Sequence, residues 1–306
     1  MTTSAPSGVQ RLGGPALFVL LWSTGFVGAK YGLPYAEPFT FLALRLLLAG
    51  ALLGLLALAL RSAGMVHRPQ YGRAAVAGLL LHAGYLGGVF YAISLGVPAG
   101  VAAVVVSLQP VLTAVLAARV LGEHPTRRQW LGLALGVVGV ALVVGPGIAA
   151  ADGPAAGYSP IGIAACLVAL AAGTAGTVYQ KRHGDGIPLV WGTAVQYAAA
   201  SAVLFAVAAV TEDMAIRWTD DFVAALVWLV VVLSIGAVLL LLLLLRRGTA
   251  SGVSSLFYLV PPAVAVEAYL LFGERVSPLS LGGIAITALG VALVVVPPRV
   301  SPSGSE

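Results

Sequence analysis

Ten apolar stretches, each close to twenty residues long, follow one another along this 306-residue chain with mostly short connections between them. They cover about 15–33, 39–60, 74–93, 98–119, 130–148, 159–181, 189–211, 222–245, 250–271 and 279–297. About twenty residues rising 1.5 Å each cross a hydrocarbon core of about 30 Å, so the pattern predicts ten membrane-spanning helices. Only 9% of the residues are charged, against about 25% in soluble domains, too few to clothe a water-soluble surface. A membrane β-barrel would show short alternating segments instead. The fold class is an all-α polytopic membrane protein. The first stretch holds Trp22, Ser23, Thr24 and Lys30 with no small-residue cleavage site behind it. It reads as a retained span, not a signal peptide.

Basic residues set the expected orientation. With the N-terminus in the cytoplasm, twelve of the sixteen Lys and Arg residues fall in cytoplasmic segments. Lys30, Arg217 and Arg275 fall on the other side, and Arg45 lies within a span. That bias places both termini in the cytoplasm, and it accounts for the net charge of +5 without a nucleic-acid partner. The acidic loop from Glu212 to Asp221 then lies outside.

The hexapeptide GVALVV occurs at Gly139–Val144 and again at Gly290–Val295, 151 positions later. The same offset carries Pro110 onto Pro261, Gly122-Glu123 onto Gly273-Glu274 and Gly132 onto Gly283. Shared landmarks at one offset mark a duplication, with units over 1–148 and 149–306. The offset carries span 4 onto span 9 and span 5 onto span 10, so each unit has five spans. An odd number turns the second copy upside down, and inverted repeats of this kind typify secondary transporters.

The chain resembles the drug/metabolite transporter superfamily, EamA type. The resemblance rests on LWSTGFVGAKYG opening span 1, FLALR in span 2, and two copies of Pro, an apolar run, Gly-Glu and a glycine-rich helix ending GVALVV. It implies two inverted five-helix repeats around a central cavity. It also implies alternating-access movement of amino acids, amines or other small polar metabolites across a bacterial inner membrane, often outward. Broad drug efflux and metabolite uptake are the nearest alternatives. A membrane scaffold or an intramembrane enzyme is the alternative of a different class. One departure from the pattern is Glu267, whose counterpart in the first repeat is Leu116.

Ionisable residues inside spans usually face a cavity or a partner. Lys30, Arg45 and Glu267 sit at similar depth. In one reading Arg45 or Lys30 attracts a substrate carboxylate, while Glu267 takes an amine or a proton. In the other, Arg45 snorkels or pairs with Glu267, and Lys30 sits in the interface. His82 and Tyr85, three residues apart, share a helical face; His82 serves as a proton relay or as a neutral packing residue. Gln109 and Tyr258 stand beside prolines at mid-depth, where a freed carbonyl can line a cavity or a kink can only shape packing. Trp22 and Ser23 add a polar and aromatic face to span 1, as Tyr179 and Gln180 do to span 6.

Other features read as structure. Glu123 and Glu274 stand at helix ends, placed to accept bonds from the next helix. Gly132, Gly136 and Gly139, with Gly283, Thr287 and Gly290, permit close helix contact, either within the chain or across a homodimer. The run Leu239–Leu245 faces lipid or packs in the bundle. Cys166 is the one cysteine, so there is no disulfide and no Cys-based metal motif. No His-Glu-x-x-His, Walker A or Gly-x-Ser-x-Gly motif occurs. No cofactor is expected, and the energy source is an ion gradient, such as protons, or a counter-substrate.

Overall fold

The structure, a computed structural model, describes residues 8–59, 68–120, 126–149, 158–238, 240, 243–244, 256–274 and 276–295. Ten helical segments follow one another in this part of the chain. They are α1 (Gly8–Gly32), α2 (Pro38–Ala59), α3 (68–94), α4 (99–120), α5 (Arg127–Ala149), α6 (Pro160–His183), α7 (Leu189–Thr211), α8 (220–238), α9 (Phe257–Phe272) and α10 (Pro278–Val295). Seven are at least eighteen residues long and apolar enough to cross a membrane, and α9 and α10 are shorter apolar helices. The expected spans match them closely, although α1 and α3 start several residues earlier. Glu123, Arg246, Arg247, Arg275 and most of the Leu239–Leu245 run lie outside the described residues.

Local chemistry sets several helix ends. Ser159 caps α6 by accepting from the Gly162 amide at 3.3 Å, Pro160 follows it, and Lys181, Arg182 and His183 close the last turn. Thr219 caps α8 through the Phe222 amide at 3.2 Å, with Asp220 and Asp221 in the first turn. Gly273 ends α9 at φ +67°, a left-handed conformation that suits glycine.

The packing carries the inverted duplication. The most extensive interface joins α5 and α10, and the next joins α2 and α7. In the first, a Cβ on Gly132 would lie 2.6 Å from the Gly290 carbonyl, and one on Gly139 would lie 2.6 Å from the Gly283 carbonyl. The offset maps Gly132 onto Gly283 and Gly139 onto Gly290. The two contacts are therefore one contact repeated across a pseudo-two-fold, between helices running antiparallel. The small-residue stripe is thus used within the chain. The hexapeptide belongs to this seam: its two glycines are among those that let the helices touch.

Irregularities repeat as well. α3 has a π-helical stretch at Leu79–Leu86, and α8 has one at Trp228–Ala237; the offset places the first within the second. α4 breaks at Ser107–Leu108, between Ala99–Val106 and Gln109–Val120, and α9 opens with a 3-10 turn at Phe257–Leu259. These breaks are again equivalent positions. Interrupted helices inside a membrane are tolerated where protein or a water-filled cavity surrounds them.

Candidate substrate pathway

The face at which α1 begins and α10 ends is the terminal face. A cleft of about 410 Å³, open mouth included, enters from it between α3, α6 and α7. Arg73, Tyr179, Gln180, His183 and Thr193 line it, and Gln196 also borders it. No Asp or Glu does. His183 stacks on Tyr179 with centroids 4.4 Å apart, and its Nδ1 lies 3.1 Å from the Tyr179 carbonyl oxygen. The buried Gln180 Oε1 has no hydrogen-bond partner among the described residues.

Gln196 begins a chain of polar groups towards the centre of the helices. Its Oε1 lies 3.2 Å from Nε2 of His82 on the π-helical part of α3. The His82 ring meets Tyr197 edge-on at 4.7 Å, and Tyr197 stands beside Arg45 and Ser234. The Arg45 side chain is buried, donates from Nη2 to Ser234 Oγ at 3.3 Å, and lies 5.9 Å from the Phe90 ring centroid. Its Nε has no partner, and among the described residues no carboxylate pairs with it. Arg45 and Gln196 are 151 positions apart. The bond from Arg45 on α2 to the π-helical part of α8 thus mirrors the bond between Gln196 on α7 and the π-helical part of α3.

His82 and Tyr85 do not act on one face. The π-helical stretch widens the turn, so three residues no longer bring side chains together. His82 meets α7, whereas Tyr85 packs towards Gly173 on α6. Gln109 reaches the same glycine, with Nε2 donating to the Gly173 carbonyl at 3.2 Å and to Thr177 Oγ1 at 2.8 Å. It ties α4 to α6.

Glu267 does not pair with Arg45. Its Oε1 lies 2.6 Å from Ser23 Oγ on α1, and its Oε2 is buried without a partner among the described residues. Ser23 Oγ also lies 2.9 Å from the Leu20 carbonyl. A hydroxyl has one hydrogen, so both contacts are satisfied together only when Glu267 is protonated, donating to Ser23 while Ser23 donates to Leu20. Below Ser23, Trp22 packs edge-to-face on Phe257 at 5.2 Å and against Phe18. The Tyr258 hydroxyl is buried and unpartnered among the described residues.

Lys30 is not left to the interface. It pairs with Glu274 and lies 4.7 Å from the Phe272 ring centroid. Glu274 therefore takes its partners from α1 and from the first amide of α4, Ala99 N, at 3.4 Å. It takes none from α10 among these contacts, because the left-handed Gly273 turns the chain away at the end of α9.

The opposite face is tied shut by the connections α1–α2 and α7–α8. The Glu212 carboxylate accepts from the amides of Phe39 and Thr40, both at 2.8 Å, and from Thr40 Oγ1 at 2.7 Å. An anion there suits the N-terminus of α2. Asp221 accepts from the hydroxyls of Tyr31 and Tyr35, both at 2.9 Å. Arg217 donates through its side chain to the Pro34 carbonyl and through its amide to the Tyr35 carbonyl at 2.9 Å. Sequence reasoning missed this clasp, along with Ser234, Tyr197 and Gln196. The one signal for Gln196 was its offset from Arg45.

The EamA-like transporter family matches residues 15–145 and again residues 160–296. The chain is similar to the uncharacterized transporter YvbV of Bacillus subtilis (strain 168), with 29% identity over 288 residues, 91% of this chain and 89% of that protein. It is also similar to a probable amino-acid metabolite efflux pump of Salmonella typhimurium (strain LT2), 28% identical over 293 residues, 90% of this chain and 91% of that protein. A chain of known crystal structure superposes with a TM-score of 0.61 at 21% identity, over 94% of this chain and 96% of its own; that likeness concerns the fold. Both halves of the sequence fall within one family, and the chain belongs to the EamA-like transporter family, a membrane transporter of the drug/metabolite transporter superfamily.

Proposed function

We propose that the protein is a secondary active exporter of small polar metabolites, amino acids or amines among them, working by alternating access of its two repeats, 1–148 and 149–306. The observation that carries this reading is the cleft from the terminal face, whose inner end at Gln196 continues through His82 and Tyr197 to Arg45. Polar and ionisable groups inside membrane helices are costly, and where they are kept they commonly mark a solute or ion pathway. The name of the Salmonella relative supports amino-acid metabolites and outward transport. The positive-inside bias supports an inner membrane with both termini, and so the mouth of the cleft, in the cytoplasm.

Proton coupling fits the Glu267–Ser23 pair, because one of its contacts must be given up when Glu267 loses its proton. The test is transport in proteoliposomes. Wild-type protein should show solute counterflow, with net transport that varies with pH. Glu267→Gln supplies a permanent donor to Ser23, so exchange should persist while the pH dependence disappears. Unchanged pH dependence in that variant would remove Glu267 as the proton carrier. Absence of counterflow for every solute would remove the transport reading itself.

A further inference from the structure

The cleft has a mirror image that is filled. The 151-residue offset carries its lining residues Ala74, Tyr179, Gln180, His183, Ile187 and Gly192 onto Ala225, Gly28, Ala29, Gly32, Ala36 and Phe41. Tyr179, Gln180, His183 and Ile187 stand half-buried along the open cleft with Ala74 and Gly192 buried in its wall, whereas every member of the second set is buried. Only the counterparts of the outer lining residues Arg73 and Ala77, Ala224 and Trp228, are exposed. Phe41, which replaces Gly192, is fully buried, and its ring lies against Gly32 and within 5.5 Å of Phe90 and 5.1 Å of Phe222. A Cβ on Gly28 would lie 2.7 Å from the Leu229 side chain. The offset also carries Gln196, at the inner end of the open cleft, onto Arg45, at the inner end of the filled one. Two inverted repeats thus hold equivalent surfaces in two different states, one parted and one packed.

We infer that Arg45 and Gln196 are the two ends of one solute site, reached in turn from the open cleft and from its mirror once Phe41 leaves Gly32, and that Arg45 recognises a carboxylate on the solute. The inference rests on the transport reading and narrows its substrate class: plain amines are not substrates, whereas amino acids and other carboxylate-bearing solutes are. Three observations carry the charge preference. Arg45 is a buried guanidinium without a carboxylate partner among the described residues, and its Nε is free. Guanidinium matches carboxylate in a planar two-bond geometry. Among the described residues the cleft that leads to it is lined by the cation Arg73 and by no Asp or Glu, with Asp185 exposed on the connection beside its mouth, so its lining favours an anion or a zwitterion over an organic cation. The unpartnered Gln180 Oε1 gives an amino group a place to donate on the way in.

The test has two arms. In proteoliposomes, counterflow is measured for each protein amino acid and for the amine left when that amino acid loses its carboxyl group. At least one amino acid should exchange, and its amine should exchange at least tenfold more slowly. Exchange of amines equal to or faster than that of amino acids overturns the inference and leaves transport standing. Failure of every solute instead defeats the transport reading. Arg45→Gln should lose at least tenfold of amino-acid exchange. Because that buried substitution can also unfold the protein, Gln196→Glu provides a second check, expected to weaken apparent affinity for the amino acid about tenfold, with the thermal midpoint measured alongside to show that the variant is folded.

The second arm reads the two clefts in a Cys166→Ser background with a membrane-impermeant maleimide. Thr193→Cys should react from the terminal face at rest, and Ala225→Cys should be protected. During exchange of the transported amino acid, Ala225→Cys should become reactive from the opposite face by at least fivefold. Continued protection of Ala225→Cys during turnover overturns the mirror pathway.

Discussion

Lys30 and Glu274 show how one residue pair can join two repeats. Lys30 ends α1 of the first repeat, and Glu274 follows α9 of the second, so the ion pair and the bond from Ala99 N draw three helices together at the opposite face. The pair is partly exposed, with the Lys30 side chain 31% accessible and that of Glu274 14%, which limits its worth to about 1 kcal/mol. Lys30→Glu or Glu274→Lys alone should lower the thermal midpoint in detergent and raise labelling of Ala225→Cys severalfold. The double exchange should recover most of both effects; no recovery would mean that the charges do not act as a pair. At this scale the sequence announced which residues were unusual but not what they touch. Lys30, Arg45 and Glu267 stood out as charges among apolar residues, and all three prove to be held. Their partners Glu274, Ser234 and Ser23 lie 189 to 244 positions away, a separation only the folded packing can bridge.

Helix positions, by contrast, were legible because the membrane dictates them: twenty apolar residues have one economical conformation in a bilayer. The α5–α10 seam was legible as well, since glycines spaced along both copies of the repeat marked a close approach. Gly139→Ala should therefore destabilise the protein by about 1–3 kcal/mol, because its new Cβ meets the carbonyl of Gly283 and the amide of Thr287, backbone atoms that move only if the helices part. Gly145→Ala, six residues further along α5 with nothing within 4 Å of the added carbon, should leave the midpoint unchanged or raise it slightly through helix propensity. Equal losses in the two variants, measured by thermal unfolding, would contradict the seam. The π-helical stretches of α3 and α8 were not legible. Gly78 and Gly87 flank the stretch in α3 but Val227 and Val238 flank that in α8, so no shared proline or glycine pattern marks both as Pro110 and Pro261 mark the breaks in α4 and α9. An extra residue per turn is fixed by what the helix packs against, and for α3 that is the polar contact from His82 to α7.

Across the whole molecule, the two faces stand in different states. Equivalent surfaces part at the terminal face, while the opposite face is held by Glu212 on the start of α2, Arg217 on the α1–α2 connection and Asp221 on two tyrosines. None of these groups lies deep in the helices, so the clasp can respond to bulk solution where the interior cannot. Hydrogen bonding to the Asp221 carboxylate, followed by burial and the charge of Asp221, holds the Tyr35 phenol above the ordinary tyrosine value. A raised folded value means that the protonated phenol is favoured in the clasp. Its contribution is complete below the ordinary value of about 10 and is lost as pH climbs through the raised one. Labelling of Ala225→Cys, corrected for the reactivity of a free thiol, should therefore stay flat up to about pH 10 and rise above it as the phenolate and Asp221 repel. In Tyr31→Phe/Tyr35→Phe no phenol remains to donate or ionise, so labelling should already be raised at pH 7 and should show no further step at high pH. Asp221→Asn keeps an acceptor for one hydroxyl but removes the repulsion, so it should open the face only partly at pH 7 and blunt the alkaline rise. An alkaline step of full height in the double phenylalanine variant would locate the sensitive group elsewhere and leave the clasp as a passive tie.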